Sequence, residues 1–194
     1  MKTDIILSGV GGQGILSIAA AIGEAALEEG LYMKQAEVHG MSQRGGDVQS
    51  NLRLSDSPTA SDLIPLGHAD LIISLEPMEG LRYLPYLSKE GWLVTNSKPF
   101  VNIPNYPTPE AIEAELAKLP HKVVFDVEEI AKDAGSARAA NIVLLGASAP
   151  FLGIEYAKIE AGVRRIFARK GEEVVAMNLK ALKAGYDVAQ GNTK

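Results

Sequence analysis

Asp4-Ile5-Ile6-Leu7-Ser8-Gly9-Val10-Gly11-Gly12-Gln13-Gly14 opens the chain with a short apolar run and then four glycines in six residues. An apolar run without polar alternation is the pattern of a strand buried on both faces, as in a parallel sheet. After the glycines, Ile15, Ile18, Ala19 and Ile22 keep helical spacing up to Glu29, and Gly30 stands where a helix ends. Strand, tight glycine turn and helix form the first half of a βα unit. The rest of the fold follows from asking whether that unit repeats.

It does. Tyr32 to Val38 reads as a second strand, residues 39–47 as a polar loop, and Val48 to Leu54 as an alternating third strand. Asp70 to Leu75 is another apolar strand, with Pro77 at a first helical position and helix expected over 78–87. Gly91 to Thr95 reads as strand, and Pro99, Pro104 and Pro107 make the next segment irregular. Thr108-Pro109-Glu110 has the capping hydroxyl, proline and acid of a helix start, and Lys122 to Phe125 is the last clear strand. Beyond Asp126 the chain reads as helix, with one apolar face from Ile159, Val163, Ile166 and Phe167 and another from Val175, Leu179, Leu182 and Tyr186. The expectation is one domain over residues 1–194: a layered α/β/α architecture with a mostly parallel central sheet and a helical C-terminal block.

Composition narrows the chemistry. A net charge of −5 lacks the basic footprint of a nucleic-acid binder. No apolar run approaches the ~20 residues of a membrane span. Met1 to Leu7 moves straight into a strand without the apolar region of a secretory signal, so the cytoplasm is expected. The chain has no cysteine, which removes disulfides, thiolate nucleophiles and thiolate-held iron–sulfur clusters. His39, His68 and His121 stand far apart without metal-ligand spacing, so no metal site is expected.

Three stretches could carry function. Gly9, Gly11 and Gly14 satisfy G-x-G-x-x-G between a strand and a helix, and Glu37 falls near the offset of a ribose-binding acid. That pattern admits a nicotinamide-dependent dehydrogenase. Gly12 and Gln13 depart from it, since a polar side chain stands where the dinucleotide turn has a small or apolar one. A tight turn that binds nothing gives the same glycines. In the second stretch, residues 39–46, His39, Ser42, Gln43, Arg44, Gly45 and Gly46 crowd polar groups and glycines into one loop. In a parallel sheet this loop shares the carboxyl edge with the glycine turn, so the two should face one crevice. There Arg44 would be the fixed cation, suited to a carboxylate or phosphate. Pairing of Arg44 with Asp47 or Glu37 is the structural alternative. The third stretch runs from Asn141 to Ala147, one amide leading an apolar helical run, and suits a buried helix with Asn141 bonded to nearby backbone, or a ligand contact.

Taken in order, the glycine turn, the Arg44-Gly45-Gly46 loop and the run from Asn141 resemble the gamma-type domain of 2-oxoacid:ferredoxin oxidoreductases over nearly the whole chain. Pyruvate-type members carry a Tyr-Gly-Pro-Glu-like segment before the Arg-Gly-Gly. Here Glu37-Val38-His39-Gly40-Met41-Ser42-Gln43 is similar to the indolepyruvate type instead. The resemblance implies an accessory subunit of an enzyme that converts an aryl 2-oxoacid and coenzyme A to an acyl-CoA and carbon dioxide, passing electrons to ferredoxin. It implies thiamine diphosphate and iron–sulfur clusters on a larger, cysteine-rich alpha subunit, and no cofactor bound by this chain alone. Gly9, Gly11, Gly12, Gln13, Gly14, Arg44, Gly45 and Gly46 become ligand- or interface-facing positions, with His39, Ser42, Gln43 and Asn141 behind them. No residue is assigned as catalytic. A self-sufficient NAD(P) dehydrogenase and a purely structural subunit remain the alternatives.

Overall fold

The computed structural model describes residues 1–39 and 45–192. The chain runs β1 (Lys2–Val10), α1 (Ile15–Glu28), β2 (Tyr32–His39), β3 (Asp47–Ser55), β4 (Ala69–Ser74), α2 (Pro77–Arg82), β5 (Leu87–Asn96), α3 (Pro109–Ala117) and β6 (Lys122–Phe125). Four helices complete it: α4 (Val127–Ala134), α5 (Ala140–Ser148), α6 (Tyr156–Phe167) and α7 (Glu172–Asn192). The strands form one six-stranded sheet in the order β2-β3-β1-β4-β5-β6. β1, β4, β5 and β6 are mutually parallel, and β3 lies antiparallel between β1 and β2.

Alternation along β1 sends its side chains into two cores. Ile5 and Leu7 join the core under α1 and the C-terminal helices, whereas Ile6 joins a smaller core under α2, α3 and the loop of residues 56–68. The result is the layered α/β/α arrangement expected from sequence, with the helical block on the thicker side. No helix among the described residues is long and apolar enough to cross a membrane.

Helix boundaries follow local chemistry. α1 ends in a glycine cap: Gly30 adopts φ 72°, its N–H donates to Leu27, and the Leu31 N–H donates to Ala26. The helix expected over 78–87 is shorter than that, because α2 ends at Arg82 and β5 begins at Leu87. Pro85 cannot supply a helical N–H and keeps Leu84 from continuing the helix, so a single 3-10 turn (Leu84–Tyr86) bridges the two.

In the thick layer, glycines let helices touch backbone to backbone. A Cβ on Gly146 of α5 would lie 2.0 Å from the Leu182 carbonyl oxygen, and one on Gly185 of α7 would lie 1.8 Å from that of Val143. Gly162 of α6 meets the Ala21 carbonyl of α1 in the same way, at 2.4 Å.

The loop of residues 56–68 is fastened to the thin side by one buried arginine. Arg53 on β3 stands opposite Asp4 on β1. It gives that carboxylate two hydrogen bonds, Nε to Oδ1 at 2.8 Å and Nη2 to Oδ2 at 3.0 Å. Its Nη1 donates to the Ser61 and Leu63 carbonyls.

Candidate functional site

The glycine turn lies at the carboxyl edge of the sheet, over the boundary between β1 and β4. On one side of β1 the chain leads to β3 and β2, and on the other to β4, β5 and β6. In open α/β sheets such a switch point leaves a crevice. Gln13 occupies it. Its Oε1 accepts from the Val10 N–H at 2.7 Å, and its Nε2 donates to the Leu75 carbonyl at 3.4 Å. A Cβ on Gly9 would come within 2.8 Å of the same Oε1, so glycine at that position makes room for glutamine.

The other glycines answer different demands. Gly14 is the N-cap of α1 with φ 92° and no side-chain cap. A Cβ there would stand 2.7 Å from Asn141 Nδ2, and that nitrogen donates to the Gly14 carbonyl at 3.1 Å. Asn141 thus ties α5 to the turn through a backbone contact. Gly12 has φ 100°, and a Cβ on it would point into open space. Gly11 is paired with the far loop: its N–H donates to Gly46 at 2.9 Å, and its carbonyl accepts from Gly45 at 3.5 Å.

The described part of that loop therefore does meet the glycine turn. Val10, Gly11, Gly12, Gly14, Ile15, Leu16 and Val48 surround a hollow of about 260 Å³. Leu16 is half exposed beside it, and the first N–H groups of α1 open at its side without a capping side chain, an arrangement that favours an anion. Ser42, Gln43 and Arg44 lie outside the described residues, and His39 is described only as the end of β2.

Polar residues from the thin side of the sheet brace Gly45 and the start of β3. Asn102 Nδ2 donates to the Gly45 carbonyl at 2.8 Å, and its Oδ1 is buried without a partner among the described residues. Asp47 accepts from Tyr83 Oη at 2.6 Å through Oδ2, and its Oδ1 is buried without a partner among the described residues. Next to Asp47, Glu79 is buried and takes a 2.7 Å bond from Arg82 Nε. Burial pushes the Glu79 carboxyl above the usual carboxylate range, the Asp47 carboxylate adds to the rise, and Arg82 opposes it. Burial and the bond to Asp47 likewise raise the Tyr83 phenol. Glu76, fully buried, caps α2 through the Glu79 N–H at 2.8 Å. It also accepts from the Phe100 N–H at 3.2 Å and from Tyr106 Oη. These bonds hold the 97–108 segment over the carboxyl edge.

Glu76, Glu79, Tyr83, Asn102 and Tyr106 stand outside every motif of the sequence. The one local signal is Glu76-Pro77-Met78-Glu79, an acid at the cap, proline at the first helical position and an acid in the first turn.

Similarity to known proteins agrees with this geometry. Residues 4–188 match the family described as pyruvate ferredoxin/flavodoxin oxidoreductase. The chain belongs to that family. Among members of the pyruvate ferredoxin/flavodoxin oxidoreductase family, it is 39% identical to Indolepyruvate oxidoreductase subunit IorB of Archaeoglobus fulgidus, over 97% of this chain and 96% of that one. The IorB of Pyrococcus horikoshii is 36% identical over 96% of each chain. The gamma subunit of keto/oxoacid ferredoxin oxidoreductase from Geobacter sulfurreducens superposes with a TM-score of 0.71 and 26% identity, over 97% of this chain and 99% of that one.

Proposed function

We propose that this chain is the accessory subunit of an indolepyruvate-type 2-oxoacid:ferredoxin oxidoreductase. The complex would convert an aryl 2-oxoacid and coenzyme A to an acyl-CoA and carbon dioxide. The observation that carries this reading is the match to IorB of Archaeoglobus fulgidus at 39% identity over nearly the full length of both chains.

The reading assigns thiamine diphosphate and iron–sulfur clusters to a larger, cysteine-rich alpha subunit in the cytoplasm, with ferredoxin reached through the complex. It is supported by chemistry: a chain without cysteine offers no thiolate to a cluster. When bound to its own subunit, thiamine diphosphate supplies the carbanion-stabilising chemistry. The role left to this chain is to shape the mouth of a shared site. Gly11 and Gly12 present backbone to the hollow beside α1, Gly45 and Gly46 bond to Gly11 at its edge, and Arg44 is assigned as the cation that meets the oxoacid carboxylate or a coenzyme A phosphate.

The sheet order weighs against a nicotinamide-dependent dehydrogenase. β3 stands between β1 and β2, so Glu37 is two strands from the glycine turn instead of beside it, and Gln13 fills the crevice that a pyrophosphate would need. A structural role accounts for Gly9, Gln13, Gly14 and Asn141, whose contacts are internal. It leaves Gly12 facing open space. Reconstitution with the larger subunit, thiamine diphosphate and ferredoxin tests the assignment. The isolated chain should show no oxoacid oxidation, and the complex should. Arg44→Ala should raise the KM for coenzyme A or the oxoacid by about ten- to a hundredfold, with Arg44→Lys intermediate. Turnover by the chain alone, or a complex that assembles without activity on any aryl 2-oxoacid, overturns it.

A further inference from the structure

Among the described residues β2 ends the sheet, bonded to β3 on one side and to no strand on the other. Its eight residues, Tyr-Met-Lys-Gln-Ala-Glu-Val-His, pair with β3 in unbroken register from Tyr32 opposite Ser55 to His39 opposite Val48. A long, regular edge is a template for another strand, and proteins blunt such edges with proline, a bulge, short length or charged side chains, lysine above all. The opposite edge, β6, is blunted in this way, with only four residues. β2 has no proline, bulge or shortening, and its one lysine, Lys34, is engaged by Asp62 of the same chain.

Its side chains are arranged about its midpoint. Met33 lies against Gly23 of α1, so the odd-numbered residues face the thick layer. Lys34 reaches Asp62 and the Ala60 carbonyl, so Tyr32, Lys34, Ala36 and Val38 face the loop of residues 56–68. On that face Tyr32 and Val38 are each 52% exposed, and both stand three residues from Gln35.

We propose that β2 pairs antiparallel with β2 of a second copy of this chain, centred on Gln35, so that the two sheets become continuous. A two-fold axis perpendicular to the sheet keeps each face continuous, which restricts direct pairs to residues of the same face. Centring on Gln35 then sets Tyr32 opposite Val38 twice, an aromatic–β-branched pair of the kind that stabilises adjacent strands. Lys34 meets Ala36, and no like charges meet. Centring on Lys34 would place two ammonium groups directly opposite each other. Centring on Ala36 would put Lys34 against Val38 and leave Tyr32 beyond the paired strand. The pattern of exposed apolar and charged residues therefore selects both the second copy and the register.

The absence of cysteine makes an introduced thiol a clean probe. In this register Gln35 faces its own counterpart at about 4.5–5.5 Å between Cα atoms, inside the range of roughly 4.4–6.8 Å that a disulfide spans. The full-length Gln35→Cys chain should oxidise to a covalent dimer of twice 20.6 kDa, and Lys34→Cys should remain uncrosslinked under the same conditions. Sedimentation equilibrium should show a monomer–dimer equilibrium for the unmodified chain. Val38→Lys, a surface change that circular dichroism should report as folded, should weaken it on the order of tenfold. The crosslinking is repeated with the partner subunit present. A Gln35→Cys chain that stays monomeric, a stronger crosslink from Lys34→Cys, or a monomer insensitive to Val38→Lys overturns the proposal. Protection of the thiol by a different chain, without self-crosslinking, overturns it as well.

Discussion

Asn141 and Gly14, 127 residues apart, share one hydrogen bond and leave no room for a methyl group between them: Nδ2 donates to the Gly14 carbonyl at 3.1 Å. A Cβ on Gly14 would sit 2.7 Å from that nitrogen. The first turn of the chain is thereby held by the helical block that forms last in sequence.

A double-mutant cycle should expose it. Asn141→Ala loses the bond to Gly14 and the one its Oδ1 accepts from the Ile142 N–H, and should cost about 1–2 kcal/mol. Gly14→Ala meets both the amide and a left-handed backbone at φ 92°, and the backbone alone should cost about 1–2 kcal/mol. Truncating Asn141 leaves only its Cβ, at 3.5 Å from the new methyl group. The pair should therefore cost less than the sum, by about 0.5–3 kcal/mol. Urea melts of the four chains decide it, and strict additivity would show that the two residues do not touch.

Gly12 should separate folding from function. Nothing lies within 4 Å of a Cβ there, so Gly12→Val should fold, with a stability loss of about 1–2 kcal/mol from its positive φ. If the hollow beside it receives a ligand or the partner subunit, activity of the complex should fall tenfold or more, about 1.4 kcal/mol. Normal assembly with a normal rate would reduce the turn to a plain connection.

Most strands are legible in the sequence because their apolar runs and glycine stops are local. α2 is the clear exception, since its periodicity runs on past Pro85 while the backbone cannot. The sheet order is harder to read. Only residues 40–46 join β2 to β3, too few for a parallel crossover of a dozen or more residues, so an antiparallel β3 was inferable from loop length alone. Its position between β1 and β2 was not, and that position is what separates Glu37 from the glycine turn. The anchoring of Gln13 depends on the Leu75 carbonyl, 62 residues away, and has no sequence signature. The pairing of Tyr83 with Asp47 is equally non-local.

Arg53 and Asp4 offer a test of what holds the 56–68 loop. Burial acts to raise the Asp4 carboxyl, but Arg53 and Lys2 more than offset it and keep the group below the usual range. This stabilisation is present above the unfolded carboxyl pKa of about 3.9 and is lost as pH falls through the lower folded value. Arg53→Met should cost about 3 kcal/mol, because the buried Asp4 carboxylate keeps only the half-exposed Lys2 as its cation. Adding Asp4→Asn should recover much of that in a thermal melt. It should not restore resistance to limited proteolysis at 56–62, because the bonds from Arg53 to the Ser61 and Leu63 carbonyls stay lost.

Glu79 and Asp47 predict the opposite pH response. Asp47 Oδ1 is buried without a donor among the described residues, and a proton on Glu79 can supply one. Since burial, reinforced by Asp47, raises the Glu79 pKa in the folded state, this contribution is complete below the unfolded carboxyl pKa. It is lost as pH rises through the folded value. Glu79→Gln keeps a donor toward Asp47 and an acceptor for Arg82 Nε, while removing the titration. The variant should therefore melt above the parent chain at pH 8, with the gap narrowing as pH falls toward 5. Glu79→Ala controls for simple loss of contact and should melt lower than the parent at both pH values, because it strands Arg82 and Asp47 together. A Glu79→Gln chain that melts below the parent at pH 8 would mean that the Arg82 pair outweighs burial and that Glu79 is held ionised. Since Asp47 opens β3 directly after the Gly45–Gly46 contact with Gly11, the same titration should loosen the glycine turn. Hydrogen exchange of the Gly11 N–H, followed from pH 5 to 8 and corrected for its intrinsic rate, should rise in the parent and stay level in Glu79→Gln.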